Sequence, residues 1–121
     1  YAWRKLLNAN AVIANGSDFP IESPNPFFGL HASVTRQDHV NQPLDGWLSS
    51  EKLSRIEALK SFTIDAAYAG HQEQLLGSLE PGKKADFILV EDDYFKIDPQ
   101  QIWQNNVIAT WVNGRQVFAK E

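Results

Sequence analysis

The chain contains no cysteine, so it forms no disulfide and offers no thiolate for a metal or for nucleophilic attack. Its redox compartment therefore cannot be read, and localisation stays open. Methionine is absent too, even at position 1, and the opening Tyr1-Ala2-Trp3 falls in mid-pattern. We read this as a processed product or an excised segment of a longer protein. No apolar run reaches the roughly 18 residues that a membrane span needs, and no basic-then-apolar leader opens the chain. Positive charge is also scarce: eleven Lys and Arg stand against fifteen Asp and Glu, for a net charge of −4. Nucleic acid calls for a concentrated basic face and anionic lipid for a basic cluster, so neither partner suits this balance.

What is present describes a folded chain. Apolar residues make up 43% and charged residues 21% of 121 positions, which fits one small domain or a piece of a larger one and argues against disorder. Trp3, Leu6, Leu7 and Ala9 give a loose helical stripe over residues 1–10. Ala11-Val12-Ile13-Ala14 is too short for a helix and suits a strand buried on both faces, closed by Gly16-Ser17-Asp18-Phe19-Pro20. Helix, loop and buried strand form one unit of an α/β fold. Residues 19–48 hold four of the six prolines and read as a long excursion with one helix from about Pro26 to Arg36.

The clearest helix is 54–69. Ser54-Arg55-Ile56-Glu57 is a capping box, Ile56, Leu59, Phe62, Ala66 and Ala69 follow at steps of three and four, and Gly70 suits a left-handed C-cap. Glu80-Pro81-Gly82-Lys83 has the chemistry of a type II turn and leads into the strand Ala85–Val90. Asp98-Pro99 opens a short helix through about Gln104. Val107–Val112 and Arg115–Phe118 flank Asn113-Gly114, whose two residues tolerate the positive φ of a type I′ hairpin.

Few residues offer chemistry. Asp18 follows the short strand, where an α/β barrel gathers its catalytic groups. From the residues alone two readings stand: a carboxylate that ligates a divalent metal and moves a proton, or one that bonds its own loop amides ahead of a proline. His31, His39 and His71 form no HxH, HxxxH or HExxH pattern and read as packing or surface residues. Of the three, His31 lies in the long region after Asp18 and is the candidate for substrate contact. Lys83 and Lys84 read as solvated, and Trp47, Trp103 and Trp111 as packing residues without the basic neighbours of a nucleic-acid groove.

Longer stretches carry a resemblance. Asn15-Gly16-Ser17-Asp18-Phe19-Pro20, then Asn25-Pro26-Phe27-Phe28-Gly29-Leu30-His31-Ala32-Ser33-Val34-Thr35-Arg36, resembles the last barrel strand and following loop of metal-dependent amidohydrolases. The closest likeness is to the family 3 type, predicted exoenzyme-regulatory-like hydrolases. Residues 57–69 resemble that family's helix after the barrel. Residues 77–90 resemble its return strand into a small β domain, and Trp111–Val117 its terminal hairpin.

The resemblance implies an α/β fold: the last β/α unit of a TIM-like barrel in residues 1–76 and the C-terminal strands of the flanking β-sandwich in residues 77–121. It implies that Asp18 is catalytic and a metal ligand, the metal being divalent, zinc, in the complete protein. The other ligands would come from an HxH pair, a Lys or Glu and two later histidines on strands not found here. His31 matches no family ligand position, and Thr35 and Arg36 fall in a recurring stretch without an assigned role. The implied reaction is hydrolysis of a C–N bond in a small non-peptide or cyclic amide by metal-activated water. One carboxylate cannot hold a metal that takes three or four protein ligands, nor can one unit close a barrel, so the isolated chain is expected to be inactive. A rival reading is a stand-alone, non-catalytic β-rich assembly or binding module. Either way, the apolar segment around Val12 lacks partners and is expected to drive self-association.

Overall fold

A computed structural model describes all residues, 1–121. Helices dominate the first half: α1 (Trp3–Asn8), α2 (Pro26–Thr35), α3 (Arg55–Phe62) and α4 (Ile64–Ala69), with a 3-10 turn at Ser49–Glu51. The second half is a three-stranded antiparallel sheet in the order β1 (Phe87–Val90), β2 (Val107–Val112), β3 (Arg115–Ala119), and a second 3-10 turn, Pro99–Gln104, lies between β1 and β2.

Helix α2 starts where its chemistry says it should. The Asn25 side chain accepts from the Phe27 amide at 3.0 Å, and Pro26 takes the first helical position, where no backbone donor is needed. It ends on Arg36, which is left-handed at φ 55°. The capping box of α3 is complete: the Glu57 amide donates to Ser54 Oγ at 3.2 Å and the Ser54 amide to Glu57 Oε2 at 2.7 Å.

The core is small. Phe27 and Leu30 from α2, Leu53, Ala58 from α3, Tyr94 and Ile102 from the second 3-10 turn form its buried cluster. Thirteen of 121 residues are buried, while twenty large apolar side chains are exposed, so much apolar surface has no cover within the chain. The hairpin turns on Asn113 and Gly114, both at positive φ (50° and 75°) as a type I′ turn requires. Phe87 stacks on its cross-strand partner Trp111 with ring centroids 4.7 Å apart.

Four expectations need correction. Ala11–Ala14 is extended but joins no sheet, and Val12 is 54% exposed, because no other segment lies alongside to complete a ladder. The β/α unit is therefore not closed within this chain, whose sheet is wholly antiparallel. The helix over 54–69 breaks at Thr63 (φ −125°, ψ −97°), whose hydroxyl bonds back to the Leu59 carbonyl at 2.7 Å. The left-handed residue that ends α4 is His71 (φ 55°), since Gly70 sits at φ −84°. Finally, Lys83 is not solvated: its side chain is 13% exposed and donates to Ser78 Oγ at 2.6 Å and to the Leu76 carbonyl.

Glu57 also accepts both terminal nitrogens of Arg4, at 2.7 and 2.6 Å, tying α1 to α3. That pairing, with help from Ser54 and against the cost of burial, pulls its carboxyl down to about 2 from an ordinary 4.5. A depressed folded-state value means the stabilisation is full above pH 4.5 and fades as pH falls toward 2. Glu57→Gln is expected to cost about 1 kcal/mol at neutral pH, since the pair is partly screened by water. In urea unfolding, the gap between the two proteins is expected to shrink steadily below pH 4.5; a gap independent of pH contradicts the account.

Candidate active site

An open cleft of about 1150 Å³ runs between the 15–26 segment, α2 and the start of the following loop. Its lining brings together Asp18, His31, Asp38 and His39, with Phe28 and Phe62 on the wall.

Asp18 reaches the cleft because Asn15 pins the chain just before it. The Asn15 amide donates to the Ser61 carbonyl on α3 at 2.9 Å, its Nδ2 donates to Ser33 Oγ on α2 at 3.2 Å, and its Oδ1 accepts from the Gly16 amide at 2.9 Å. Ser33 and Ser61 are both buried, so the bonds to them are sheltered from water, while the Gly16 bond is exposed. Asp18 itself is left-handed, at φ 50°, a conformation Asp tolerates better than most residues. Its side chain is exposed, and its carboxylate bonds to no group of the protein, neither to its own loop amides nor to a cation.

His31 is fully buried on α2 and is one of the residues around the cleft. Nε2 lies 3.3 Å from Asn41 Oδ1 and 3.5 Å from Thr35 Oγ1. Nδ1 has no partner, one of two buried side-chain polar atoms in that state, the other being Trp103 Nε1. Burial above all pushes the His31 pKa below its ordinary value; the Asn41 bond and the charge of Asp38 oppose this, and His39 adds to it. His39, exposed on the loop, stacks flat on Trp103 (4.6 Å, 3°), meets the edge of Phe28 (4.3 Å), and lies 6.0 Å from His31. His71 is exposed beyond α4 and takes no part in this cleft.

The loop that closes the far side keeps its shape mainly through its own backbone. Arg36, Asn41, Asp45, Gly46 and Leu48 all have positive φ. Arg36 and Trp47 bond reciprocally, with the Trp47 amide donating to the Arg36 carbonyl at 2.8 Å and Arg36 Nε donating to the Trp47 carbonyl. The Arg36 guanidinium also covers the Trp3 ring at 4.8 Å. Thr35 and Arg36, without a role in the sequence reading, are the residues that order His31 and start this loop. The bonding roles of Asn15 and Asn41 escape sequence reasoning because their partners are distant in the chain, whereas Trp103, read as a packing residue, stacks on His39. No three His, Asp or Glu side chains come close enough to hold a metal ion, so Asp18 stands without fellow ligands among these residues.

The pattern that defines the amidohydrolase family matches residues 1–118. The chain belongs to the amidohydrolase family. It is 36% identical over 122 residues to the protein LONG AFTER FAR-RED 3 of Arabidopsis thaliana, taking in 98% of this chain and 20% of that one. The N-substituted formamide deformylase of Arthrobacter pascens is 27% identical over 111 residues, covering 92% of this chain and 20% of the deformylase. In three dimensions the chain resembles an amidohydrolase from Thermotoga maritima MSB8 with a TM-score of 0.66 at 24% identity, over 97% of this chain and 25% of that one. This amidohydrolase chain thus spans about a fifth of the length of the curated relatives it matches.

Gly46 sets how closely the loop approaches α2. A Cβ there would stand 2.1 Å from the Thr35 carbonyl oxygen, in a residue at φ 84°. Gly46→Ala is expected to destabilise the chain by about 1–3 kcal/mol, read as a lower midpoint in thermal unfolding. An unchanged midpoint would show that the loop is not held as described.

Proposed function

We propose that this chain is the C-terminal part of a metal-dependent hydrolase that cleaves C–N bonds in small non-peptide amides or cyclic amides. The observation that carries the reading is the free Asp18 carboxylate on the wall of a sizeable cleft, in a chain of the amidohydrolase family. A relative named as a formamide deformylase supports a small amide as the substrate. Residues 1–76 would be the end of the β/α barrel and residues 77–121 the C-terminal share of the small β-sandwich. The helix-then-extended order at the start and the antiparallel strands at the end support that division.

These 121 residues do not form a metal site by themselves, since no cluster of three ligating side chains exists. Asp18 would be one ligand to a divalent ion, zinc in this reading, with the rest supplied from outside the segment; the ion's contribution would be an activated water. The task of Asp18 would be to take a proton from the attacking water on a carboxylate oxygen and deliver it to the departing nitrogen. Its lack of a competing partner favours that task, because no group of the chain must release the carboxylate first. His31, at the border of the cleft, would contact the substrate.

Large uncovered apolar surface also supports self-association of the segment when it is alone. Light scattering at high concentration is expected to show species larger than a monomer, and a monodisperse monomer counts against this. Metal-supplemented amidase and esterase assays on the 121-residue chain are expected to show no turnover. In the complete protein, Asp18→Asn is expected to lower kcat by about a hundredfold or more. Robust turnover by the short chain, lost in Asp18→Asn, would overturn the need for outside ligands. Full activity of Asp18→Asn in the complete protein would overturn the catalytic role.

A further inference from the structure

The bonds around His31 settle which ring nitrogen carries the proton. Thr35 has one hydroxyl proton, and it goes to the His31 carbonyl at 2.8 Å. Thr35 Oγ1 also accepts from the Gln37 amide at 3.1 Å, so toward the imidazole it can only accept. The other neighbour of Nε2 is Asn41 Oδ1, again an acceptor. A neutral imidazole facing two acceptors through Nε2 must carry its proton there. Nδ1 is then a bare lone pair, buried and without a partner, in a residue that borders the same cleft as Asp18. An orphaned buried acceptor costs about 1–3 kcal/mol, so such an atom is normally matched to a donor.

We propose that His31 Nδ1 accepts a hydrogen bond from the substrate's amide N–H, so that the site selects amides and lactams that keep an N–H over fully N-substituted ones. This rests on the hydrolase reading above and names the substrate class within it. His31 is a positioning residue for selectivity; it moves no proton. In the unliganded chain Nδ1 is shielded from water. A donor reaches it only once side chains packed around the ring shift; the His39 ring, exposed on the loop, lies 6.0 Å away. The bond fixes the scissile amide by its nitrogen, which orients that nitrogen toward the group that must protonate it. An N-alkyl group in the same place leaves the lone pair unmatched and adds a clash.

The test is steady-state kinetics on the complete protein with matched amides: N-butylformamide against N-butyl-N-methylformamide, and 2-pyrrolidinone against its N-methyl derivative. The N–H member of each pair is expected to show a KM lower by about tenfold to a hundredfold, with a smaller difference in kcat. His31→Asn places Oδ1 where Nδ1 was and is expected to keep most of that preference. His31→Gln keeps a polar group toward Asn41 but none at the Nδ1 position, and is expected to lose the preference while circular dichroism shows an intact fold. Equal KM values for both members in the unaltered protein overturn this inference and leave the hydrolase reading standing. So does a preference that survives in His31→Gln, which would place the N–H discrimination elsewhere in the site. Absence of turnover on every amide overturns the hydrolase reading itself.

Discussion

Helix α2 is the constraint on which the rest depends. Its Phe27 and Leu30 are buried in the core against α3 and the Pro99–Gln104 turn, so the helix cannot shift without opening the only apolar cluster the chain possesses. Successive residues of a helix point about 100° apart, and the neighbours Phe28 and His31 consequently reach the cleft. Ser33, one turn along, fastens the segment that carries Asp18. One rigid element therefore sets both the protein's stability and the positions of its candidate catalytic and recognition groups.

Local chemistry was legible in the sequence, and tertiary chemistry was not. The capping box at Ser54, the Asp98-Pro99 start, the Glu80–Lys83 turn and the Asn113-Gly114 hairpin each depend on residues within four positions of one another, and each forms as expected. The errors are of two kinds, one tertiary and one local. Ala11–Ala14 has the composition of a buried strand, yet a strand is a property of two segments, and the second is not in this chain. Residues 54–69 carry a continuous helical stripe, but Thr63 spends its hydroxyl on the preceding turn and the axis breaks.

The site shows the same division. Asp18 stands out because of its place after an apolar run and before a proline. His31 and His39 share no motif, and only the fold of the loop brings their rings to 6.0 Å. Asn15 falls in the stretch that carries the resemblance, but its bonding role has no signal there; that role comes from two buried serines, one on each of two helices. A polar residue that binds neighbours far away in the chain looks like any other polar residue until the neighbours are known.

The loop after α2 has a further consequence. Five of the thirteen residues from Arg36 to Leu48 sit at positive φ, and the hydrogen bonds that fold it run largely to main-chain atoms. Val40, Leu44 and Trp47, meanwhile, are well exposed. Its contour is thus written in torsion angles rather than in packed side chains. Such a rim can exchange its outward groups freely and still present them at the same places, which is a route by which one scaffold could be retuned from one ligand to another without rebuilding what lies beneath.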